Sequence, residues 1–79
     1  MHAASEERSE RLQRMLRVLQ AHPHGATTFE LQTLTGSMAP ATDLSELRAN
    51  GCIIERRCEG KTTSGRWINR YFYRGRKEI

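Results

Sequence analysis

The segment Met38-Ala39-Pro40-Ala41-Thr42-Asp43-Leu44-Ser45-Glu46-Leu47-Arg48-Ala49-Asn50-Gly51 carries helix signals at both ends. Proline suits a first helical turn, where its missing N–H has no intrahelical acceptor, and glycine suits the position that closes a helix. At about 3.6 residues per turn, Pro40, Leu44, Leu47 and Gly51 fall on one side. Met38, Ala39, Thr42, Ser45, Glu46 and Ala49 then project away, with Arg48 and Ala41 on one flank and Asp43 and Asn50 on the other. The expected element is a helix with an apolar inner side and a small, weakly polar outer face.

Reading toward the N-terminus, Thr27-Thr28-Phe29-Glu30 has the hydroxyl-x-x-carboxylate order of a capping box. It opens a short helix on Leu31 and Leu34 that stops at Thr35-Gly36-Ser37, where Gly36 is free to take the positive φ of a helix terminus. Ala26-Thr27-Thr28 is long enough for only a stub of strand. Before it, Leu12, Met15, Leu16 and Leu19 recur at i, i+3, i+4 and i+7, one face of an amphipathic helix. Ser5 followed by Glu6 and Glu7 reads as the start of that helix, and Pro23 with Gly25 as its end, so it is expected over 5–21. Glu7 with Arg11 and Glu10 with Arg14 form i,i+4 pairs, which explains these arginines as a solvated helix face.

Toward the C-terminus the period changes from that of a helix to that of a strand. Ile53-Ile54 opens an extended run through Glu59, Gly60-Lys61-Thr62-Thr63-Ser64-Gly65 is a polar loop, and Trp67-Ile68-Asn69-Arg70-Tyr71-Phe72-Tyr73 is aromatic and β-branched. A hairpin with a basic tip follows. Alternation places Trp67, Asn69, Tyr71 and Tyr73 on one face, taken as the inner one because Arg70 and Arg74 are costly to bury. Phe72 is then expected to be half exposed, and 75–79 to form a frayed tail beyond a core of about 8–74.

Length and composition narrow the class. The chain has 79 residues, of which 37% are apolar and 6% aromatic. Such a chain suits one small domain with a thin core and excludes a two-domain enzyme. No run of about 18 apolar residues is present, so no membrane partner is expected. Met1-His2-Ala3-Ala4-Ser5-Glu6-Glu7 has no charged segment leading into an apolar one, and a cytoplasmic protein is the expectation. Cys52 and Cys58, six residues apart on one strand, stand about 20 Å apart at ~3.3 Å per residue, too far to bridge. With no Cys-x-x-Cys pair, and with His2, His22 and His24 lacking a ligand spacing, no metal or cofactor is expected. Without a phosphate-binding glycine loop or a carboxylate pair beside a histidine, neither is catalysis.

The formal charge of +4 is unevenly placed. Residues 1–50 hold five basic and six acidic side chains, a net of −1; residues 51–79 hold eight basic and three acidic, a net of +5. A surface that meets a polyanion is implied at the hairpin.

Helix, short helix, turn, third helix and basic hairpin follow the order of a winged helix-turn-helix domain, an α+β fold of three helices and a β-hairpin wing. Within that class the chain resembles the small helix-turn-helix proteins common in phages and prophages. The resemblance rests on Thr27 or Thr28, Leu31, Leu34, Gly36, Pro40, Leu44, Glu46, Leu47, Arg48, Gly51, Ile54, Tyr71 and Tyr73, covers roughly residues 12–73, and is most specific from Pro40 to Gly51. In the strict pattern the turn glycine is followed six and nine residues later by apolar core positions. Here those are Thr42 and Ser45, with the leucines two residues further on, which implies a longer turn.

The resemblance implies a DNA-binding regulator of transcription or an accessory factor in recombination, reading double-stranded DNA with the third helix through Met38, Ala39, Thr42, Ser45 and Arg48. Arg56, Arg57, Lys61, Arg66 and Arg70 on or beside the hairpin are the expected backbone contacts. Five neutralised phosphates give an expected slope of log K on log salt near −4 to −5. Half-sites are palindromic if the protein forms a homodimer. A protein-interaction module that binds or inhibits a partner protein is the alternative. A third reading is single-strand or RNA binding on Trp67, Tyr71 and Tyr73, which burial statistics instead place in the core.

Overall fold

The computed structural model describes residues 9–77 as a small α+β fold of three helices and a three-stranded antiparallel sheet. Helix α1 spans Glu10–Ala21, strand β1 Ala26–Thr27, helix α2 Thr28–Thr35, helix α3 Pro40–Ala49, strand β2 Cys52–Lys61 and strand β3 Trp67–Arg76. The sheet order is β1-β3-β2, so the stub of strand between the first two helices adds to the free edge of the hairpin.

The cap of α1 is Ser9, extended at φ −110°, whose Oγ accepts from the Leu12 N–H at 3.3 Å, so the helix begins at Glu10 and does not run continuously over the expected 5–21; Ser5 itself lies outside the described residues. Leu12, Met15 and Leu19 are buried, as their period requires. Helix α2 opens with a reciprocal capping box: Thr27 Oγ1 accepts from the Glu30 N–H at 3.1 Å, and Glu30 Oε1 from the Thr27 N–H at 3.0 Å. It ends at Gly36, with φ 73°. Leu31 is buried, but Leu34, read as its apolar companion, is 51% exposed. Pro40 sits in the first turn of α3, which closes at Asn50 followed by the expected Gly51 at φ 98°.

The core joins Leu12, Met15, Leu19, Leu31, Leu44 and Leu47 from the helices to Ala26, Cys52, Ile54 and Tyr71 from the sheet. Each fully buried leucine contributes roughly 1.5–3 kcal/mol against leaving it exposed. Cys52 is buried and Cys58 exposed, both on β2 as thiols.

Three expectations about the hairpin are corrected. Trp67, assigned to the inner face, is 63% exposed. A ten-residue strand reaches about 33 Å at ~3.3 Å per residue, while a ten-residue helix covers only about 15 Å. Strands β2 and β3 therefore outrun α3, and Trp67 lines an open groove against the start of α2 and Ala41 of α3 rather than the closed core. Phe72, expected half exposed on the opposite face, is only 8% exposed. The Arg57 and Arg74 guanidinium groups lie 4.7 and 4.8 Å from its ring centroid, and its edge reaches Gly25, where an added Cβ would stand 2.7 Å away. Gly25, at φ 89°, therefore has neither the space nor the backbone geometry for a side chain. Finally, Gly75 and Arg76 are not a frayed tail: β3 runs to Arg76, and the Lys77 N–H donates to the Gly51 carbonyl at 2.8 Å.

The charged residues of the helices also depart from the solvated-face reading. Asp43, placed on a flank of α3, is 1% exposed. Its carboxylate accepts from Arg11 of α1 and, at 2.6 Å, from the Ser37 hydroxyl. The second arm of Arg11 bonds Glu46 at 2.6 Å, which removes Glu46 from the outward face. Arg14 turns likewise to the Thr35 carbonyl at 3.2 Å. Thr35 Oγ1 donates to the Leu31 carbonyl and accepts from the Ser37 N–H, so the α2–α3 connection is held by side chains at each step. Both arginines thus fasten α1 to the turn and to α3.

The two partners of the central pair differ in burial, and that predicts unequal costs. Arg11→Ala strands the carboxylate of Asp43 away from water and should cost about 3 kcal/mol. Asp43→Ala leaves Arg11, whose side chain is 45% exposed, free to hydrate. That change should cost about 1.5 kcal/mol. Urea denaturation of both variants and of the double variant, expected to match Asp43→Ala alone, checks this; a costlier Asp43→Ala contradicts it.

Candidate nucleic-acid interface

Side-chain alternation along β2 and β3 separates the hairpin's charges onto two faces. Ile54 points into the core, Arg56 lies two residues further on the same side, and Arg56 sits directly across from the core residue Tyr71. Cross-strand partners share a face, so Arg56 belongs to the helix side of the sheet. Glu55, Arg57, Arg70, Phe72 and Arg74 belong to the opposite side.

That opposite side is an internally neutralised ladder. Glu55 is bonded by Arg57 and, at 3.2 Å, by Arg74. The bond from Arg57 first, and that from Arg74 after it, hold the Glu55 carboxyl below the ordinary carboxylate value. Arg70 donates to Glu59 at 2.9 Å and to the Gly25 carbonyl at 3.1 Å, and lies 3.5 Å from Glu30. Its pKa is raised, chiefly by the bond to Glu59. Arg57 and Arg70, expected backbone contacts, are thus engaged within the fold on the far face.

The helix side differs. Arg56, Lys61 and Arg66 are exposed and have no carboxylate partner among the described residues. Lys61 Nζ stands 4.5 Å from the Trp67 ring centroid. Arg66 belongs to an ordered tip in which the Thr62 N–H donates to the Arg66 carbonyl at 2.8 Å and the Arg66 N–H to Thr62 Oγ1 at 3.2 Å.

At the start and along the outer side of α3, Ala39, Thr42, Ser45 and Arg48 are exposed, as is Met38 just before it, at 95%. Arg48 also donates to the Ile54 carbonyl at 2.9 Å, tying α3 to β2 immediately before Arg56. With Asp43 and Glu46 turned to Arg11, the outward face of α3 presents methyl, hydroxyl and thioether groups beside one guanidinium.

A groove of about 670 Å³ runs between the start of α2, Ala41 of α3 and the hairpin tip. Thr28, Phe29 and Gln32 form one wall and Arg66, Trp67 and Asn69 the other; none of its lining residues is acidic. Phe29 is 75% exposed. Sequence reading used Phe29 only as a position inside a capping box and did not single out Gln32 or Asn69. The available signal was Phe29 itself, a bulky apolar residue next to the cap of a short helix, where no core position is available. Among the described residues no group of three or more His, Cys, Asp or Glu is placed to hold a metal ion. Nor is any helix among them long and apolar enough to cross a membrane.

Comparison with protein-family models, with curated proteins and with solved structures gives no match for this chain.

Glu30 joins the cap of α2 to the sheet, and its charge makes a pH-dependent contribution. Its pKa is lowered from 4.5, first by the bonds from the Thr27 backbone and side chain and then by Arg70. A depressed folded-state pKa stabilises above the unfolded value, and the contribution is lost as pH falls through the folded value. Glu30→Gln keeps an acceptor oxygen but not the charge. It should lower the urea midpoint near neutrality and match the parent chain once the pH is well below the carboxylate range; an equal deficit at both pH values contradicts the assignment.

Proposed function

We propose that the chain is a winged helix-turn-helix DNA-binding domain that serves as a small regulator of transcription or an accessory factor in recombination. The observation that carries this reading is the segregation of charge. The carboxylates of α3 point to α1, and those of β2 are paired on the far face of the sheet. Arg56, Lys61 and Arg66 have no acid partner among the described residues, Arg56 shares the helix side of the sheet with Tyr71, and Arg66 lines a groove with Ala41 of α3. A duplex needs such an acid-free surface: an exposed carboxylate repels phosphate, and each pairing with an internal acid removes a cation from the backbone contact. The element order, with β1 completing the sheet at the hairpin edge, agrees with a winged-helix arrangement.

In this reading α3 enters the major groove. Thr42 and Ser45 hydrogen-bond base edges, Ala39 and Met38 meet a thymine methyl, and Arg48 reaches a phosphate while braced on β2. Arg56, Lys61 and Arg66 hold the flanking backbone. Four phosphate contacts, from Arg48, Arg56, Lys61 and Arg66 at about −0.9 each, give a salt slope near −3.6, shallower than the value expected when Arg57 and Arg70 are counted. The exposed Phe29, Leu34 and Met38 favour a second reading, a protein-interaction module that binds or inhibits a partner protein.

Fluorescence anisotropy of a labelled duplex at several salt concentrations tests the proposal. Arg56→Ala, Lys61→Ala and Arg66→Ala should each weaken every duplex alike and reduce the slope by about 1, while Arg57→Ala leaves the affinity unchanged. Thr42→Ala should matter only for a sequence enriched by selection from a random duplex pool. Salt-insensitive binding, or an empty selection, shifts the weight to the protein-interaction reading.

A further inference from the structure

The groove beside the hairpin tip has an aromatic surface that the duplex contacts leave unused. Trp67 is 63% exposed, and Phe29 on the facing wall is 75% exposed. Two aromatic rings exposed on facing walls offer a surface that a flat ligand can cover. Arg66 lines the groove, and Lys61, which is not among its lining residues, lies over the Trp67 ring at 4.5 Å. A planar, anionic ligand is matched by this set. The aromatic surface receives a ring, Arg66 receives a charge beside it, and the amides of Gln32 and Asn69 offer donors and acceptors to a ring edge. An acidic peptide without aromatic side chains supplies the charge but no flat ring, and an apolar peptide leaves Arg66 unmatched. A nucleotide supplies both.

We infer that the groove between α2 and the hairpin tip holds one unpaired nucleobase of the bound DNA, its ring stacked on Trp67 and its phosphate on Arg66. The inference rests on the duplex-binding reading and deepens it: the preferred target is a duplex carrying an unstacked or extruded base rather than a fully paired one. Stacking is tolerant of base identity because every base has a π-face, so this contact adds affinity without adding sequence readout. The third helix and the groove would then act on different features of one target, one reading paired bases and the other a local break in pairing.

Trp67 is the only tryptophan in the chain, so its fluorescence reports on this site alone. The experiment uses the full chain with two labelled duplexes of the same sequence, one fully paired and one with a single unpaired adenine. Anisotropy and tryptophan emission are recorded together, with a short glutamate peptide as a control. The expected result is quenching of Trp67 by the interrupted duplex and about tenfold tighter binding of it, near the low end of what one stacked base contributes. Trp67→Ala should abolish that preference while retaining affinity for the paired duplex, and Trp67→Phe should keep part of it. Circular dichroism checks that each variant folds, as the exposure of Trp67 predicts. Equal affinity for the two duplexes without quenching overturns the inference and leaves duplex binding standing. Binding of neither duplex overturns both, and quenching by the peptide alone replaces the base with an acidic protein partner.

Discussion

The buried carboxylate of Asp43 is the constraint on which the arrangement of the helices depends. A charge removed from water must be met by opposite charge and hydrogen bonds. The fold supplies them from two directions, Arg11 of α1 and Ser37 of the α2–α3 connection. Satisfying both at once leaves α3 little freedom to rotate. Its apolar side closes on Leu12 and its neighbours, Glu46 falls within reach of the second arm of Arg11, and Thr42 and Ser45 are left facing outward.

The hairpin solves a related problem by parity. A basic strand pair that carries its own acids risks cancelling its field, yet placing Glu55 and Glu59 opposite Arg57, Arg74 and Arg70 on one face spares the cations of the other. The paired face is also structural. Arg57 and Arg74 cover Phe72, and Arg70 reaches Gly25 and Glu30, so the edge strand β1 and the start of α2 are fastened to β3 by the same side chains. The proposed DNA-binding face thus owes its available charge to a second face that consumes the remainder.

Local signals carried the fold far. The capping box of Thr27 and Glu30, the positive φ of Gly36, Pro40 in the first turn of α3 and the change of period after Gly51 are all short-range, and each element follows from them. Long-range pairing was not legible. Arg11 and Arg14 have local partners in sequence that explain them adequately, and nothing within a few residues indicates that α1 would turn them toward the α2–α3 connection. Trp67 shares the parity of Tyr71, and only the length of the hairpin relative to the helices shows that the core ends before it. At the site, charge clustering located the hairpin but did not distinguish Arg56 from Arg57, because one residue of register decides which arginine meets acids and which meets solvent.

The central claim is that nucleic acid is held on the helix side of the sheet. Backbone amide chemical-shift mapping during titration with a selected duplex tests it most directly. The account predicts that perturbations concentrate at Thr42, Ser45, Arg56, Lys61 and Arg66, with Glu55, Arg57 and Arg74 unmoved. Perturbations centred on the paired face, or none at saturating duplex, would contradict it.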